Sequence, residues 1–453
     1  MEINERMSKR FAWLLGVVTL VSIGFLIACG SKYNRSSDGL VLVASQGSGL
    51  IESFGFSLAS GSISEISNPP GTTSTQTCVL NGVPSSIVVD PAGAFAYTIV
   101  NENSLCSGSS TGIAALKINS DGTVVPTGSL VAFNAGTVSG IANPVPVVPY
   151  ALVMDPAGKF LFVADRAIPQ GAMTIPGSVS VFSISNGTAT EVAGSPFYPT
   201  NPAVPVAQQS MDIIAVAPTP TVFPKTGVNG VQNSVCSDAG NTPPSTQFLY
   251  AADKLGNQVL EFQVDMSSGV LSYPGGASAA RTFAADILPG GVVVDPCNRF
   301  VYVSNMQTNK ISGYTMCNGA LTQSPLCPVT PDGSLVQIAN SPFSLAGTAF
   351  GPGPMVADPF GNYVYVLNTI SSGVSTLKIS PISGSLTANA NVAATGVNPT
   401  AIAVRADDNW LFVANNGSSP ATISQFTITP ATGVLSPLPA ISTDNNPWGV
   451  AVK

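Results

Sequence analysis

Three features of the sequence predict an all-β repeat fold. A phrase of strand, tight turn and second strand recurs, with copies such as VVDPAGAFAYTIVN ending at Asn101, LVMDPAGKFLFVAD ending at Asp165 and MVADPFGNYVYVLN ending at Asn368. Gly and Pro, 44 and 37 of the 453 residues, lie between short apolar runs, where they act as turn residues. Beyond the N-terminus no stretch carries the apolar period of an amphipathic helix.

The N-terminus is read separately from the fold. Residues 1–10 carry Arg6, Lys9 and Arg10, and Phe11 to Ala28 is an uncharged, mainly apolar run of 18 residues closing on Leu26-Ile27-Ala28-Cys29. A basic start, an apolar middle and small residues at the end describe an export signal. An uncleaved membrane anchor is the alternative, because this length is near the minimum span. The tetrad resembles the bacterial lipobox. That resemblance implies cleavage after Ala28, acylation of Cys29 and attachment to the cell envelope, two or more acyl chains being enough for stable anchoring. Gly30 stands where lipoproteins kept at the inner membrane typically carry aspartate, which points to the outer membrane, on its periplasmic side or at the cell surface. Residues 1–28 are thus a lipoprotein signal, 29–39 the lipidated cysteine and a flexible polar tether, and 40–453 the folded domain.

Within each repeat the Asp-Pro pair opens a type I turn, with the carboxylate on the turn's own amides and Pro supplying φ. Asp90, Asp155, Asp295 and Asp358 are assigned to that structural task, and Asp407-Asp408 also to a turn. The aromatic and β-branched residues that follow suit a buried strand. That strand ends on a polar residue: Ser45, Asn101, Asp165, Asp253, Asn305, Asn368 and Asn415. A third strand with a bulky residue and then a turn glycine comes next. Phe54 and Gly61, Phe262 and Gly269, Leu377 and Gly384, and Phe426 and Gly433 are each seven residues apart, and Gly122, Gly187 and Gly333 complete the set. Glycine supplies the positive φ of a tight hairpin.

Both counts give seven units. The first, starting at Leu40, lacks its leading strand, whereas Trp448 to Lys453 is a leading strand with nothing after it. Units that cannot bury their own faces stack on their neighbours. Joining the two incomplete ends closes a ring and removes the free sheet edges. The prediction is an all-β, seven-bladed β-propeller of four-stranded blades, closed by the C-terminal strand completing the N-terminal blade, and a monomer.

The Asp-Pro-x-Gly-x-Phe/Tyr-x-Phe/Tyr-Val-x-Asn phrases, the x-x-Gly-x-Leu turns, and Ser195-Pro196-Phe197 and Ser341-Pro342-Phe343 resemble those of the lactonase or YVTN-type seven-bladed β-propellers, over nearly the whole mature chain. The resemblance implies the fold, and as an activity it implies hydrolysis of sugar lactones such as 6-phosphogluconolactone. Family members with that activity are cytoplasmic, and a histidine is implicated in related lactonising propellers.

This chain has no histidine at all, so Ser-His-Asp, Cys-His and most zinc or copper sites are excluded. Only 9% of residues are charged, the net charge is −7, and no Lys/Arg cluster follows residue 10, which leaves nucleic-acid binding without electrostatic support. No cofactor or metal is implied. Six cysteines remain besides Cys29, an even number in an exported chain. Loop placement predicts the bridges Cys78–Cys106, Cys236–Cys297 and Cys317–Cys327. Thiolate metal binding is the other role for them, and no Cys-x-x-Cys supports it.

Two places hold candidate chemistry. The strand-end polar residues either ring the channel mouth or cap the turns that follow them. Asp165-Arg166 and Asp253-Lys254 occupy equivalent positions in adjacent repeats, where they either grip an anionic or polar ligand or form solvated ion pairs. A non-enzymatic binding or interaction module is the expected function, its ligand a protein, glycan or small molecule on one propeller face. Alternatives are a lactone hydrolase using Asp165, Arg166, Asp253 and Lys254 as base and support, and a structural subunit of a surface layer or secretion assembly.

Overall fold

The computed structural model describes residues 38–66, 80, 82–103, 110–138, 144–170, 173–199, 211–220, 246–317, 327, 332–417, 420–444 and 446–453. The leader, Cys29, Cys78, Cys106 and Cys236 lie outside them. The chain forms seven antiparallel sheets arranged as propeller blades, each with four main strands that run in chain order from the axis outwards except in blade one. A separate two-stranded hairpin, Ile168–Gln170 with Met173–Ile175, stands between the second and third strands of blade three. Three further strands lie outside that order, in short pairings on the third strands of blades four to six, and another does so in blade two. A 3₁₀ turn at Pro274–Gly276 is the one helical element among the described residues.

The ring closes as the repeat count predicts. The innermost strand of blade one is Pro447–Val452, which pairs antiparallel with Asp38–Ser45 through Val41↔Val452, Leu42↔Ala451 and Val43↔Val450. The other innermost strands are Val83–Val89, Pro149–Met154, Ile213–Pro218, Pro289–Val294, Pro352–Ala357 and Pro399–Val404. Five of the seven begin with proline, which is tolerated at a first strand position because no ladder donor is needed there.

The second strands run Phe160–Asp165, Phe300–Asn305, Tyr363–Asn368 and Trp410–Asn415 in four of the blades, and all their residues are buried. This is why they are rich in aromatic and β-branched residues on both faces. Each face packs on a different blade. Phe160 and Phe162 of blade three share a core with Leu249 and Phe262 of blade four, and Phe54 and Phe56 of blade one share another with Trp410 and Phe412 of blade seven.

The repeated glycine and the repeated aromatic answer each other across blades. At Gly384 (φ +70°) a Cβ would stand 2.5 Å from Phe300 of the preceding blade, and at Gly433 (φ +65°) 2.7 Å from Tyr363. Gly61 on Trp410, Gly187 on Phe95, Gly269 on Phe160 and Gly333 on Phe248 repeat the contact. Glycine is therefore required for close approach as well as for the hairpin. Tyrosine hydroxyls reach the same turns: Tyr302 donates to the Gly384 carbonyl at 2.8 Å and Tyr250 to that of Gly333 at 2.5 Å.

The Asp-Pro aspartates do what the turn type demands. Asp90 accepts the Ala94 and Phe95 amides, Asp155 those of Lys159 and Phe160, and Asp358 those of Phe360, Asn362 and Tyr363. Asp295 adds a buried ion pair with Arg299, through Nε at 2.8 Å and Nη2 at 2.8 Å. Cys317 and Cys327 form the predicted disulfide, with Cα atoms 5.3 Å apart. Cys297 is also disulfide-bonded.

Candidate ligand-binding site at the channel mouth

The innermost strands of all seven blades line a central channel with a cavity volume of about 810 Å³. What happens where the second strands end decides which side chains reach its mouth. In six of the seven blades the residue just past the strand end donates its N–H to the carbonyl of the residue just before an innermost strand. Gln46 bonds Asn446, Arg166 bonds Val148, Lys254 bonds Asp212, Met306 bonds Leu288, Thr369 bonds Gly351, and Asn416 bonds Asn398, all at 2.8–3.0 Å. This repeated bond fixes the backbone at the mouth, and Arg166, Lys254, Met306 and Thr369 line the channel there.

The strand-end residues themselves turn the other way, into the blades. Asn305, Asn368 and Asn415 are fully buried and donate from Nδ2 to serine hydroxyls of the third strand, Ser312, Ser375 and Ser424, at 3.0, 2.9 and 3.0 Å. They form neither a polar ring around the channel nor caps on the following turns. Asp253 alone behaves as a cap, accepting the Gly256 amide at 3.0 Å. The rule is that buried polar groups must be hydrogen-bonded, and the partner here is the neighbouring strand.

The four charged candidates are therefore divided by the backbone. Asp165 is buried, with Oδ2 accepting the Ser178 and Ser180 hydroxyls at 2.9 and 2.7 Å. Burial pushes its carboxyl up to about 7 against the pull of those two hydroxyls. Asp253 is fully buried and accepts the Asp212 amide at 2.8 Å and Gln258 Nε2 at 2.8 Å; burial raises its pKa. Neither aspartate lines the channel, whereas Arg166 and Lys254 both do. Arg166 does not pair with Asp165.

Its partner is Asp212, just before the innermost strand of blade four. Arg166 Nε donates to Oδ1 at 2.6 Å and Nη2 to Oδ2 at 2.7 Å, and the Ala167 amide donates to Oδ1 at 3.0 Å. The hydrogen bonds to Asp212 raise the Arg166 pKa further. The guanidinium also lies over the Tyr150 ring, 5.0 Å from its centroid, a cation–π arrangement. Two sides of Arg166 are thus held, and Nη1 has no hydrogen-bond partner among the described residues. Lys254 is half-buried, and its ammonium has no ion-pair partner among the described residues. One residue, Asp212, organises this corner: its carboxylate takes Arg166, its carbonyl takes the Lys254 amide, and its own amide goes to Asp253.

Asp212 and Tyr150 were not among the residues singled out from the sequence. The readable signal was position: Asp212 stands where other blades carry Leu288, Gly351, Asn398 and Asn446 ahead of the innermost strand. Among the described residues no group of three His, Cys, Asp or Glu side chains is placed to hold a metal ion.

Seven closed blades around a channel with a polar mouth make this a seven-bladed β-propeller. Residues 335–451 match the family model described as Lactonase, 7-bladed beta-propeller. Solved structures with this fold include a proposed 6-phosphogluconolactonase from Bacteroides uniformis ATCC 8492, with TM-score 0.60 and 19% identity over 92% of this chain and 100% of that one. The periplasmic gluconolactonase PpgL of Pseudomonas aeruginosa gives TM-score 0.60 and 17% identity, over 92% and 99% of the two chains. A protein from Lactobacillus plantarum gives TM-score 0.61 and 15% identity over the same shares. At these identities the likeness is one of fold. No curated protein matches the chain.

Proposed function

We propose that this chain is an envelope-anchored binding module, non-enzymatic, that holds an anionic ligand in the mouth of its propeller channel. The observation that carries the reading is the pair of cations lining that mouth from adjacent blades, in a chain where only 9% of residues are charged. Arg166 is preorganised by Asp212 and Tyr150, and Lys254 has no ion-pair partner among the described residues. A bound carboxylate or phosphate completes both, through charge-assisted hydrogen bonds. Calorimetric titration with 6-phosphogluconate tests this. Binding should weaken about tenfold in Lys254→Gln, the loss of one charged hydrogen bond, and should fall with added salt. Indifference to both changes would refute the reading.

Lactone hydrolysis is the second reading, favoured by the family match over residues 335–451. It needs a carboxylate base, and Asp165 and Asp253 are turned away from the channel, which makes Asp212, paired with the channel-lining Arg166, the carboxylate to test. Turnover of 6-phosphogluconolactone above its spontaneous rate, lost in Asp212→Asn, would replace the first reading by this one.

Attachment to the outer membrane through lipidated Cys29 belongs to the same proposal, supported by the Leu26-Ile27-Ala28-Cys29 tetrad after the apolar run. Metabolic labelling with an alkyne fatty acid should mark the chain and should leave Cys29→Ser unmarked. Equal labelling of the two would remove the anchor from the proposal.

A further inference from the structure

Resting on the binding reading above, we infer that the ligand is amphiphilic: an anion bearing one linear aliphatic chain, with its head at Arg166 and Lys254 and its chain running down the channel. The channel wall is the first observation. Val88, Val153, Ala215, Val356, Ala403 and Val452, from six different blades, line it with aliphatic surface. Three charged residues belong to the lining: Arg166 and Lys254 at one mouth, and Asp358, which is fully buried with its oxygens on the Phe360, Asn362 and Tyr363 amides of an Asp-Pro turn at the far end. The neutral polar side chains of the lining are few, Ser86, Thr369, Asn398 and Thr400. Six-residue strands at about 3.3 Å per residue make the aliphatic section roughly 20 Å long, the scale of a medium to long acyl chain.

The rim of the same mouth is the second observation. Tyr150, Leu255, Ile287, Phe350, Ile370 and Val397 are exposed large apolar side chains, and all lie on the face where second strands end and blades connect. Backbone bonds stitch them to the mouth: Gln307 to the Ile287 carbonyl, Ser371 to Phe350, and Gly417 to Val397. Scattered exposed apolar residues are ordinary on a protein surface, but six on the face that carries Arg166 and Lys254 mark an interaction site. A small hydrophilic anion would use the two cations and leave the collar and the wall idle. A single-chain acyl anion uses all three.

The ring closes between Asp38 and Lys453, so the test material is the propeller exported without its lipid and purified without detergent. It is titrated calorimetrically with octanoate, decanoate, dodecanoate and tetradecanoate, with dodecyl phosphate, and with 6-phosphogluconate, all below their micellar concentrations. Affinity should rise about fourfold per methylene, with a negative heat-capacity change. Lys254→Gln should weaken every chain length by one common factor. Ala403→Phe and Ala151→Leu, each placed to narrow the channel, should shorten the longest chain accepted and leave 6-phosphogluconate unaffected, with melting temperatures confirming that at least one of them folds. Carboxylate and phosphate heads on the same chain distinguish a fatty acid from a phospholipid-derived ligand. Affinity flat in chain length, or unaltered in a folded channel variant, would overturn the inference while the binding reading stands. Failure of every anion to bind would end both.

Discussion

Arg166 and Asp212 face each other through two parallel hydrogen bonds, Nε to Oδ1 at 2.6 Å and Nη2 to Oδ2 at 2.7 Å, across the junction of blades three and four. The aspartate side chain is 5% exposed and the arginine 32%. The acid is therefore the buried member, and the base is the one presented to the channel. This fork geometry restricts the guanidinium to one pose, so the N–H groups of Nη1 are aimed before any ligand arrives.

Replacing that acid should separate stability from binding. Asp212→Asn removes the charged bonds, and we expect a loss of about 2 kcal/mol, the size of hydrogen bonds to charged groups, measured by denaturant unfolding. The mouth gains one positive charge, so 6-phosphogluconate should bind more tightly at low salt and lose that gain as screening increases. Unchanged stability together with unchanged affinity would show that the pair organises neither.

The contrast between what could and could not be read from the sequence follows from periodicity. Blade count, glycine turns and the clasp recur at regular spacing, so each copy supports the others. Asp212 belongs to no repeated phrase and follows a Pro-rich connection, and its meaning appears only when Val148, Leu288, Gly351, Asn398 and Asn446 are set beside it. The direction of Asp165 was open for a different reason. Its partners Ser178 and Ser180 lie 13 and 15 residues on, beyond an intervening hairpin, and only the register Asp165↔Ser178 brings them to it.

The glycine–aromatic contacts predict a coupled pair. Gly384→Ala meets Phe300 at 2.5 Å and must hold φ +70°, and overpacking plus strain should cost about 2–4 kcal/mol. Phe300→Leu alone should also destabilise, because it trims a buried ring. In the double variant the clash is relieved, so the two losses should sum to more than the loss observed. A strictly additive cycle in urea unfolding would mean that the ring does not rest on the turn.

Stability should fall from mild acid to mild alkali. Glu261 lies fully buried, 3.2 Å from Arg281 Nη1, and burial pushes its carboxyl up to about 8, against the Arg281 charge. Asp408, with the Tyr365 hydroxyl 3.4 Å away, is also pushed up to about 8 by burial and then by the Asp358 charge. A carboxyl whose folded pKa lies above its unfolded value favours folding in its protonated form. Its contribution is whole below the ordinary value near 4 and is lost as pH rises to about 8. Asp265, lowered to about 2 by hydrogen bonds from Ser267, acts in the opposite sense, and only below that window. The melting temperature should therefore drop between pH 5 and 8.5, and Glu261→Gln and Asp408→Asn should each flatten the slope. Asparagine suits position 408, where φ is +53°, as it does in the equivalent turn at Asn298. A melting temperature that is level or rises across this range would contradict the assignment.

Closure of the ring rests on seven C-terminal residues, and its loss should be out of proportion to their number. Pro447–Val452 pairs with Asp38–Ser45 on one side. Arg405 Nε donates to the Lys453 carbonyl at 3.0 Å and Thr400 Oγ1 to that of Pro447 at 3.1 Å, tying the clasp to blade seven. Lys453 Nζ reaches the Gly93 carbonyl of blade two at 3.1 Å. Removing residues 447–453 would expose the edge of Asp38–Ser45 and uncover apolar surface in blades one, two and seven, so the truncated chain should aggregate instead of eluting as a monomer. A milder probe is Gly449→Ala, where a Cβ would stand 2.2 Å from the Ser85 carbonyl oxygen. That backbone contact cannot yield to a rotamer change, and the variant should unfold faster than the parent. A circular permutant that links Lys453 to Asp38 and opens the chain at the exposed turn around Ser383 keeps every clasp contact, so it should melt close to the parent. If the truncated chain stayed monomeric and melted with the permutant, the C-terminal strand would be an accessory to the ring and not its closure.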